Sequence, residues 1–474
     1  EMCIRDRSYT SYKYDHSDGW QNSHLTEDGE DIIETIAPLS LGYSSNNFSQ
    51  KFTYDATDQL SFYANGGYYN RGLERPVERE DITGGSKYNT TYEGYNWGAG
   101  AKYKLSKRNV IQFDYSGNNY ASRYKYLIEN SGYLPGQYAL TKLQKFHDAE
   151  LKGIFGFTTN STTVFGVDYR REVLRRPDSD LDKSVYTTSA YGQHEVKLWN
   201  HLTGVVGVRY DHHEQTGGRF TPKVAAMYNI GNFNVRATYA AGFRAPGIDE
   251  LYYHMFKKTM GTRATISLGD ENLDPERSNY YSINMEYRTN RFSASVTGYL
   301  NYVKNMVTSK STKFDDLPEA EQNQLREEFP EIGDLSSTKN LSVKNYFNFE
   351  KATVKGFEVN LNGNLFPGFT LTGNYTYAYG RGLNEGGEWQ NIERSIRHTA
   401  TITGNYTHSW SDYTLNLNLN GRLQSKVYYP GDADGNAPGY GIWNLNTRHT
   451  FDGFRNFVIE PGIGIDNIFN KKDN

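Results

Sequence analysis

The chain has 474 residues with a formal net charge of -4, and hydrophobic residues make up only 36% of it. A mean hydropathy of -0.76 and the lack of any apolar run of about eighteen residues exclude ordinary membrane-spanning helices. The acidic balance argues against nucleic acid as a partner. Despite this polarity, the chain contains 40 Tyr, 24 Phe and 46 Gly. This mixture is typical of a membrane β-barrel, whose strands face lipid with every second residue.

The first seven residues, EMCIRDR, differ from the rest of the chain. They lack the apolar centre of a secretion signal and do not show a strand pattern. We interpret residues 1–7 as a non-native junction ahead of a barrel domain at 8–474. Cys3 is the one cysteine of the chain, which excludes an intrachain disulfide and a cysteine-based metal site.

Strands with a period of two recur along the chain, which indicates a sheet with two different faces. In TLNLNLNGRL, Leu417 and its apolar neighbours alternate with asparagines such as Asn418. We expect one set to face outward (Leu415, Leu417, Leu419, Phe233, Val235) and another to face the lumen (Asn416, Asn418, Arg236). A soluble sandwich alternates too, so this pattern alone leaves both folds open.

Connection lengths favour the membrane fold. Tight turns such as Gly231–Asn232 and Pro367–Gly368 alternate with long polar connections, which include Arg71–Tyr92, Asn118–Gln144, Gly242–Arg277, Lys304–Ser342 and Arg381–Ser395. Transmembrane barrels have tight hairpins on the periplasmic side and longer loops outside. The sequence therefore predicts an all-β, antiparallel, up-and-down transmembrane barrel with about nineteen strands. Because closed bacterial barrels use even numbers, we expect at least one more strand in the intact protein.

One long connection has its own helical signal. Within Lys304–Ser342, DDLPEAEQNQLREEFPEI predicts a short, acidic, amphipathic helix. It is either a lid over a ligand or a solvated addition to an outer loop.

Several motifs carry a family resemblance. They are AAGFRAPGIDELYY (240–253), GDENLDPERSNYYSINMEYR (269–288), VKGFEVNL (354–361), RSIRHTATITGNY (394–406) and GIGIDNIFNKK (462–472). In this order, they resemble the TonB-dependent outer-membrane receptors. The motifs lie in the C-terminal half, and the N-terminal half matches in architecture only.

The resemblance implies a barrel of twenty-two strands, a preceding plug and a periplasmic TonB box that pairs with TonB. On this hypothesis, the chain holds about nineteen of the twenty-two strands and lacks the plug, about two first strands and the final strand. It also implies a bacterial outer-membrane location, contact with lipid, a TonB complex bound through the missing N-terminal region, and no cofactor.

The function expected from the resemblance is active uptake of a small nutrient chelate. Candidate ligand-binding residues are Arg244, Tyr252, Tyr253, His254, Tyr428 and Tyr429. A ferric siderophore is the first ligand hypothesis, and haem is the second, because His254 lies where related haem receptors place an iron ligand. Cobalamin and glycan transport are further alternatives. The tyrosines also suit an outer aromatic girdle.

Other function classes have little support in the motifs. We find no G-x-S-x-G, P-loop or H-E-x-x-H motif, so the chain is predicted not to be an enzyme. The pair His212–His213 with Glu214 is placed in an outer loop, where adjacent side chains diverge, so no metal site is expected. A passive porin is the alternative among barrels.

Overall fold

The computed structural model describes residues 6–19, 25–27, 30–32, 42–74, 87–130, 132–258, 264–335, 337–383, 387–392, 394–428, 437–454 and 457–471. Long strands dominate these ranges. In chain order, they are β1 (Asp6–Ser17), β2 (Gly42–Asp55), β3 (Leu60–Glu74), β4 (Tyr88–Lys104), β5 (Asn109–Tyr126), β6 (Tyr138–Thr158), β7 (Ser161–Arg176), β8 (Leu181–Trp199), β9 (Leu202–His213), β10 (Gly217–Ile230), β11 (Phe233–Arg244), β12 (Glu276–Arg288), β13 (Phe292–Lys313), β14 (Leu341–Phe366), β15 (Phe369–Leu383), β16 (His398–Ser409), β17 (Tyr413–Gln424) and β18 (Tyr440–Phe454).

Each of these strands pairs with the next one along the chain, and every such pairing is antiparallel. Two further pieces, Phe457–Ile459 and Gly462–Ile465, pair with β18 and form a nineteenth strand that is interrupted at Pro461. Within the described ranges, β1 pairs only with β2, and Gly462–Ile465 only with β18. The antiparallel up-and-down sheet that the sequence predicts is confirmed.

The two faces of the sheet differ in chemistry. On the outward face, Phe233 is 53% exposed and Ile283 is 58% exposed, and a soluble protein rarely leaves such a continuous apolar surface uncovered. On the opposite face, the Arg236 guanidinium donates to the Glu286 carboxylate over 2.8 Å. The Asn416 amide donates to the Thr407 hydroxyl over 2.8 Å. The predicted alternation in β11 and β17 is therefore confirmed.

One end of the sheet, which we call the inner end, has only tight connections. The other, outer end carries all the long connections together with two short ones, at 177–180 and 214–216. The long loops are also shorter than predicted, since β13 continues to Lys313 and β14 begins at Leu341. Polar sequence suggested loop there, yet pairing continues beyond the lipid because it still satisfies backbone amides.

The first strand begins two residues earlier than predicted. Asp6 and Arg7 pair with Tyr54 and Thr53, so part of the proposed junction belongs to β1. Residues 1–5, which include Cys3, lie outside the described ranges.

Short elements occupy the outer connections. They are the helices α1 (Ile248–Tyr252) and α2 (Glu319–Glu328), the 3-10 turns Pro177–Ser179, Phe314–Asp316 and Pro330–Asp334, and the strands Leu25–Glu27, Glu30–Ile32, His254–Lys258, Ala264–Leu268, Trp389–Asn391, Ser395–Ile396 and Val427–Tyr428. Helix α2 confirms the helix predicted between β13 and β14. No helix in the described ranges is long and apolar enough to cross a bilayer.

We predict that charge is tolerated on only one face of β17. Leu417→Arg is expected to lower the free energy of unfolding by about 2–4 kcal/mol, because the guanidinium would enter hydrocarbon near mid-strand. Urea titration of the receptor folded in phospholipid vesicles measures this difference. The matched control is Asn418→Arg, whose side chain points to the polar face. Equal losses for the two variants would contradict the assignment of the faces.

Candidate functional site

The turn after β11 is held by one arginine. The Arg244 guanidinium donates to Glu250 over 2.9 Å and to Glu276 over 2.7 Å. Glu250 also accepts from the Gly247 amide, and Glu276 accepts from the Val307 amide. Arg244 therefore joins the end of β11 to α1 and to the start of β12.

The connection after α1 passes β12 and β13 and reaches the outer end of β14. Strand His254–Lys258 pairs with Ala264–Leu268, which lies parallel to Leu341–Asn345 at the outer end of β14. On the way, Leu251 packs against Val307 of β13. Ile248 of α1 also packs against Leu174 and Val185, which belong to the lumen-side sets of β7 and β8. The connection thus borders the outer mouth of the lumen.

A small hydrophobic core, which we call the loop core, supports this connection. It consists of Ala264, Ile266, Phe314, Leu325, Phe329, Ile332, Leu341 and Val343. Phe314, Ile266 and Val343 are fully buried. Leu325 brings α2 into this core, so the helix is packed rather than solvated on all sides. The loop is an ordered, packed structure because it buries its own apolar surface.

Tyr253 and Tyr252 lie at the mouth. The Tyr253 hydroxyl accepts a hydrogen bond from Arg176 over 3.0 Å, and the guanidinium carbon lies 5.3 Å from the ring centre. Burial raises the pKa of the Tyr253 phenol. Tyr252 bonds Gln215, and the Lys183 ammonium is 4.7 Å from its ring. Burial raises the pKa of Tyr252 as well, so both phenols stay neutral.

A third aromatic–cation pair completes this region. Lys344 lies 4.7 Å from the Tyr346 ring, and the rings of Tyr346 and Tyr253 are 6.5 Å apart. We call the six residues the mouth cluster: Arg176, Lys183, Tyr252, Tyr253, Lys344 and Tyr346. Only its two adjacent tyrosines were predicted from the sequence. The other four come from β7, β8 and β14. In the sequence, only their basic or aromatic character could have indicated a place in this cluster.

His254 lies beyond the mouth cluster, against α2. Its ring stacks on Phe329 with centroids 4.4 Å apart, and Nε2 is 3.3 Å from the Glu328 carboxylate. The pKa of Glu328 is lowered mainly by the hydrogen bond from Gln324 and next by the one from His254. The imidazole is therefore engaged by Glu328 and Phe329 within the loop.

Tyr428 lies in a different part of the outer rim. The guanidinium carbon of Arg397 lies 4.3 Å from its ring and 4.9 Å from the ring of Tyr379. Tyr379 shares the outward face of β15 with Tyr377 and Tyr375 by alternation. This contact favours the aromatic-girdle interpretation for Tyr428, and Tyr429 lies outside the described residues.

Below the mouth cluster, the inner walls of β7 to β11 enclose a polar cavity of about 450 Å³. Arg209 lies at its centre and contacts Asp168 over 2.8 Å and Asp211 over 2.7 Å. These residues were not predicted from the sequence, although Asp168, Arg170 and Glu172 recur at every second position of β7, as lumen-facing residues should.

The histidine pair noted in the sequence lies at this level. His212 and His213 end β9 and are not in a loop, and Glu214 follows in a three-residue turn. His213 is buried and lines the cavity. In the described part of the chain, no group of three His, Cys, Asp or Glu side chains could hold a metal ion.

The family model described as "TonB dependent receptor-like, beta-barrel" matches residues 19–468. The chain belongs to this family. Among curated relatives, it is 24% identical to the ferric enterobactin receptor PirA of Pseudomonas aeruginosa, over 56% of this chain and 34% of the relative. It is 21% identical to the ferrienterobactin receptor of Escherichia coli, over 79% of this chain and 52% of the relative. A vitamin B12 transporter, BtuB of Vibrio cholerae, is also 21% identical, over 57% of this chain and 41% of the relative.

Solved structures show the same fold. The siderophore receptor PirA of Acinetobacter baumannii superimposes with a TM-score of 0.71 at 14% identity, covering 99% of this chain and 72% of that one. The ferric enterobactin receptor PfeA of P. aeruginosa superimposes with a TM-score of 0.70 at 16% identity, covering 98% of this chain and 70% of that one. These identities support the TonB-dependent receptor barrel as a fold. The matched region spans about a third of the first curated relative.

We predict that the loop core is a separate cooperative unit. Phe314→Ala should destabilise it by about 3–5 kcal/mol, because a fully buried ring leaves a cavity. Hydrogen exchange should accelerate in peptides covering 264–268 and 319–328. The control is Phe157→Ala, whose ring is 69% exposed at the inner end. Unchanged exchange at the loop core, or acceleration throughout β2 to β5, would disprove independent folding of this unit.

Proposed function

We propose that this barrel belongs to a receptor for active, TonB-dependent uptake of a ferric siderophore across the bacterial outer membrane. Family membership supports transport rather than catalysis. The names of several relatives support an enterobactin-like ligand. In this proposal, a plug and a TonB box precede the barrel in the intact protein, and TonB is the partner that supplies energy.

The mouth cluster is the observation that carries the ligand proposal. Ferric complexes of catechol-type chelators are anionic and present flat aromatic rings. Arginine and lysine side chains attract the charge, and tyrosine rings offer faces for stacking. Arg176 with Tyr253, Lys183 with Tyr252 and Lys344 with Tyr346 provide this combination three times. Asp178 pairs with the Arg176 guanidinium over 3.1 Å, so the two lysines are the uncompensated cations of the cluster among the described residues. The polar cavity around Arg209 lies directly beneath, on the lumen side.

The experiment for transport is uptake of radiolabelled ferric enterobactin by cells that express the full-length gene and no other siderophore receptor. We expect uptake that stops when TonB is deleted or the inner membrane is de-energised. Labelled cyanocobalamin and hemin serve as comparison ligands. Uptake that persists without TonB would favour a passive porin, and uptake of cyanocobalamin or hemin alone would reject the siderophore.

We further predict that Arg176→Gln weakens binding of ferric enterobactin at least about tenfold, because one charge-assisted contact from this largely buried guanidinium contributes about 1.5–3 kcal/mol. Fluorescence quenching of the purified receptor measures the dissociation constant. Arg175→Gln is the matched control, since Arg175 is exposed on the opposite face of the same strand.

His254→Ala gives the complementary result. We expect ferric enterobactin to bind this variant as tightly as the wild type, because His254 contacts Glu328 and Phe329 instead of the mouth cluster. Equal effects of the Arg176 and Arg175 variants would exclude the mouth cluster as the ligand site. A visible hemin absorption band that is lost in the His254 variant would restore the haem hypothesis.

A further inference from the structure

A group of tyrosines lines the lumen at the outer ends of β2 to β6. Tyr63, Asp114 and Glu150 lie in register with Asp168 of the polar cavity, and the Tyr63 hydroxyl donates to Asp114 over 2.8 Å. This row identifies the lumen-facing side chains of β3 to β6, because side chains alternate along a strand. By this alternation, Tyr120 and the aromatic residues around it face the lumen.

Four rows of lumen-facing residues make up this surface, which we call the tyrosine wall. From the outer end inward, the rows are Tyr88 and Tyr126; Tyr43, Leu73, Thr90, Tyr124 and Ala139; Ser45, Arg71, Tyr92, Ser122 and Lys142; and Asn47, Tyr69, Gly94, Tyr120 and Gln144. Seven of these seventeen residues are tyrosine, two are cationic and none is acidic. The wall therefore offers many ring faces and neutral polar groups, but little charge.

The rings at the outer end of the wall are held by one another. Tyr88 stacks on Tyr124 with centroids 3.7 Å apart. Tyr126 is buried beneath Tyr133 of the following turn, whose ring stacks on it at 4.8 Å. Rings that are fixed in place before binding lose little conformational freedom when a ligand packs on them.

A slot in the tyrosine wall lies above Gly94. Tyr69 and Tyr120 flank this glycine in register on the neighbouring strands. A Cβ added to Gly94 would lie 3.8 Å from the Tyr69 Cβ and 3.9 Å from the Tyr120 Cδ2. The ring of Tyr92, two residues further along β4, is nearly parallel to that of Tyr120, with centroids 6.0 Å apart. The missing side chain of Gly94 thus leaves a shallow slot that three rings border.

The composition of the tyrosine wall limits the chemistry of its ligand. In the mouth cluster, each tyrosine ring is paired with a cation. In the described part of the wall, the pair formed by Arg71 and Tyr43, at 4.2 Å, lies at the end far from the mouth cluster. A sugar ring suits such a surface, because its C–H faces are apolar and pack on aromatic rings. Its hydroxyls can bond to neutral side chains such as Asn47, Ser122 and Gln144.

Two polar atoms of the wall are incompletely bonded. Arg71 Nε and Thr90 Oγ1 are buried, and neither has a hydrogen-bond partner in the part of the chain that the structure describes. Buried polar atoms in native proteins are almost always hydrogen-bonded. The wall therefore has unused capacity to bond a polar ligand or its water shell.

The tyrosine wall adjoins the mouth cluster. Leu143 pairs with Arg175, which places Lys142 of the wall beside Arg176 of the mouth cluster, one position further out. Lys142 in turn lies opposite Ser122. Neighbouring strands are about 4.8 Å apart, so roughly 10 Å separates Arg176 from the strand that carries Ser122. A chelate at the mouth cluster would therefore present its substituents to the tyrosine wall.

We propose that the tyrosine wall binds neutral sugar units attached to the ferric chelate, so that this receptor takes a glycosylated catechol-type siderophore. The anionic iron centre contacts the mouth cluster, and one sugar ring occupies the slot at Gly94. The proposal rests on the proposed function, which places the chelate at the mouth. It gives the wall a role in choosing among catecholate ligands, which cations alone do not distinguish.

The test compares two probes on the purified full-length receptor: ferric enterobactin, and ferric enterobactin with glucose attached to two of its catechol rings. Fluorescence quenching measures both dissociation constants. We expect the wild type to bind the glucosylated chelate at least about fivefold more tightly, as two ring contacts would provide. Equal affinity of the wild type for the two chelates would overturn the proposal.

The double variant Tyr92→Ala/Tyr120→Ala removes two rings that border the slot. It should bind the glucosylated chelate no more tightly than ferric enterobactin, while its affinity for ferric enterobactin stays that of the wild type. The matched control is Tyr95→Ala/Tyr103→Ala, which removes two rings on the outward face of β4 that are 45% and 42% exposed. This control should keep the preference. A preference that persists in the Tyr92/Tyr120 variant would contradict the sugar site.

A second variant tests the slot without removing any tyrosine. Gly94→Leu fills the space above this glycine, and its Cβ makes only ordinary van der Waals contacts with its neighbours. We expect this variant to lose the preference for the glucosylated chelate and to bind ferric enterobactin as the wild type does. An undiminished preference in Gly94→Leu would show that the sugar does not occupy the slot.

Uptake of the two chelates separates this proposal from the proposed function. Failure of the wild-type receptor to bind or import either chelate would reject the proposed function. Binding and TonB-dependent import of both chelates, with equal affinity and at equal rates, would leave the proposed function standing and reject only the sugar site.

Discussion

The requirement that every backbone amide in hydrocarbon find a partner governs this molecule. It accounts for the unbroken antiparallel pairing from β1 to β18, in which each strand is bonded to its neighbours in the chain. Once backbone pairing is satisfied in this way, side chains are free to differ on the two faces. The outward face can be apolar without a core beneath it, and the inward face can hold charge networks such as Arg209 with Asp168 and Asp211.

The same constraint explains why much of the fold could be predicted from the sequence. A two-residue period is a local property, so the faces of β11 and β17 were readable from a dozen residues each. Strand ends were less predictable. β13 and β14 pair far beyond the predicted loop boundary, because water tolerates polar strands and the composition there does not distinguish strand from loop. Helix α2 was predictable because its amphipathic period is also local.

The candidate site was only partly predictable. Tyr252 and Tyr253 are adjacent in an aromatic motif, but their partners Arg176, Lys183 and Tyr346 come from strands distant in sequence. Such neighbours are set by the crossing of the connection after α1, which no periodicity encodes. His254 shows the reverse case. Its position in the chain suggested a ligand role, yet Glu328 and Phe329 approach it through a separate loop.

That crossing has a consequence for how the outer surface can diversify. Ala264–Leu268 takes its place from a parallel pairing with the end of β14, and its packing from Phe314 and Leu325 on the connection between β13 and β14. Neither connection is complete without the other. A graft of one alone onto another barrel would expose apolar surface and leave an unpaired strand edge. The two connections are therefore expected to be inherited together. A change of ligand preference on this side of the mouth requires both to be replaced at once.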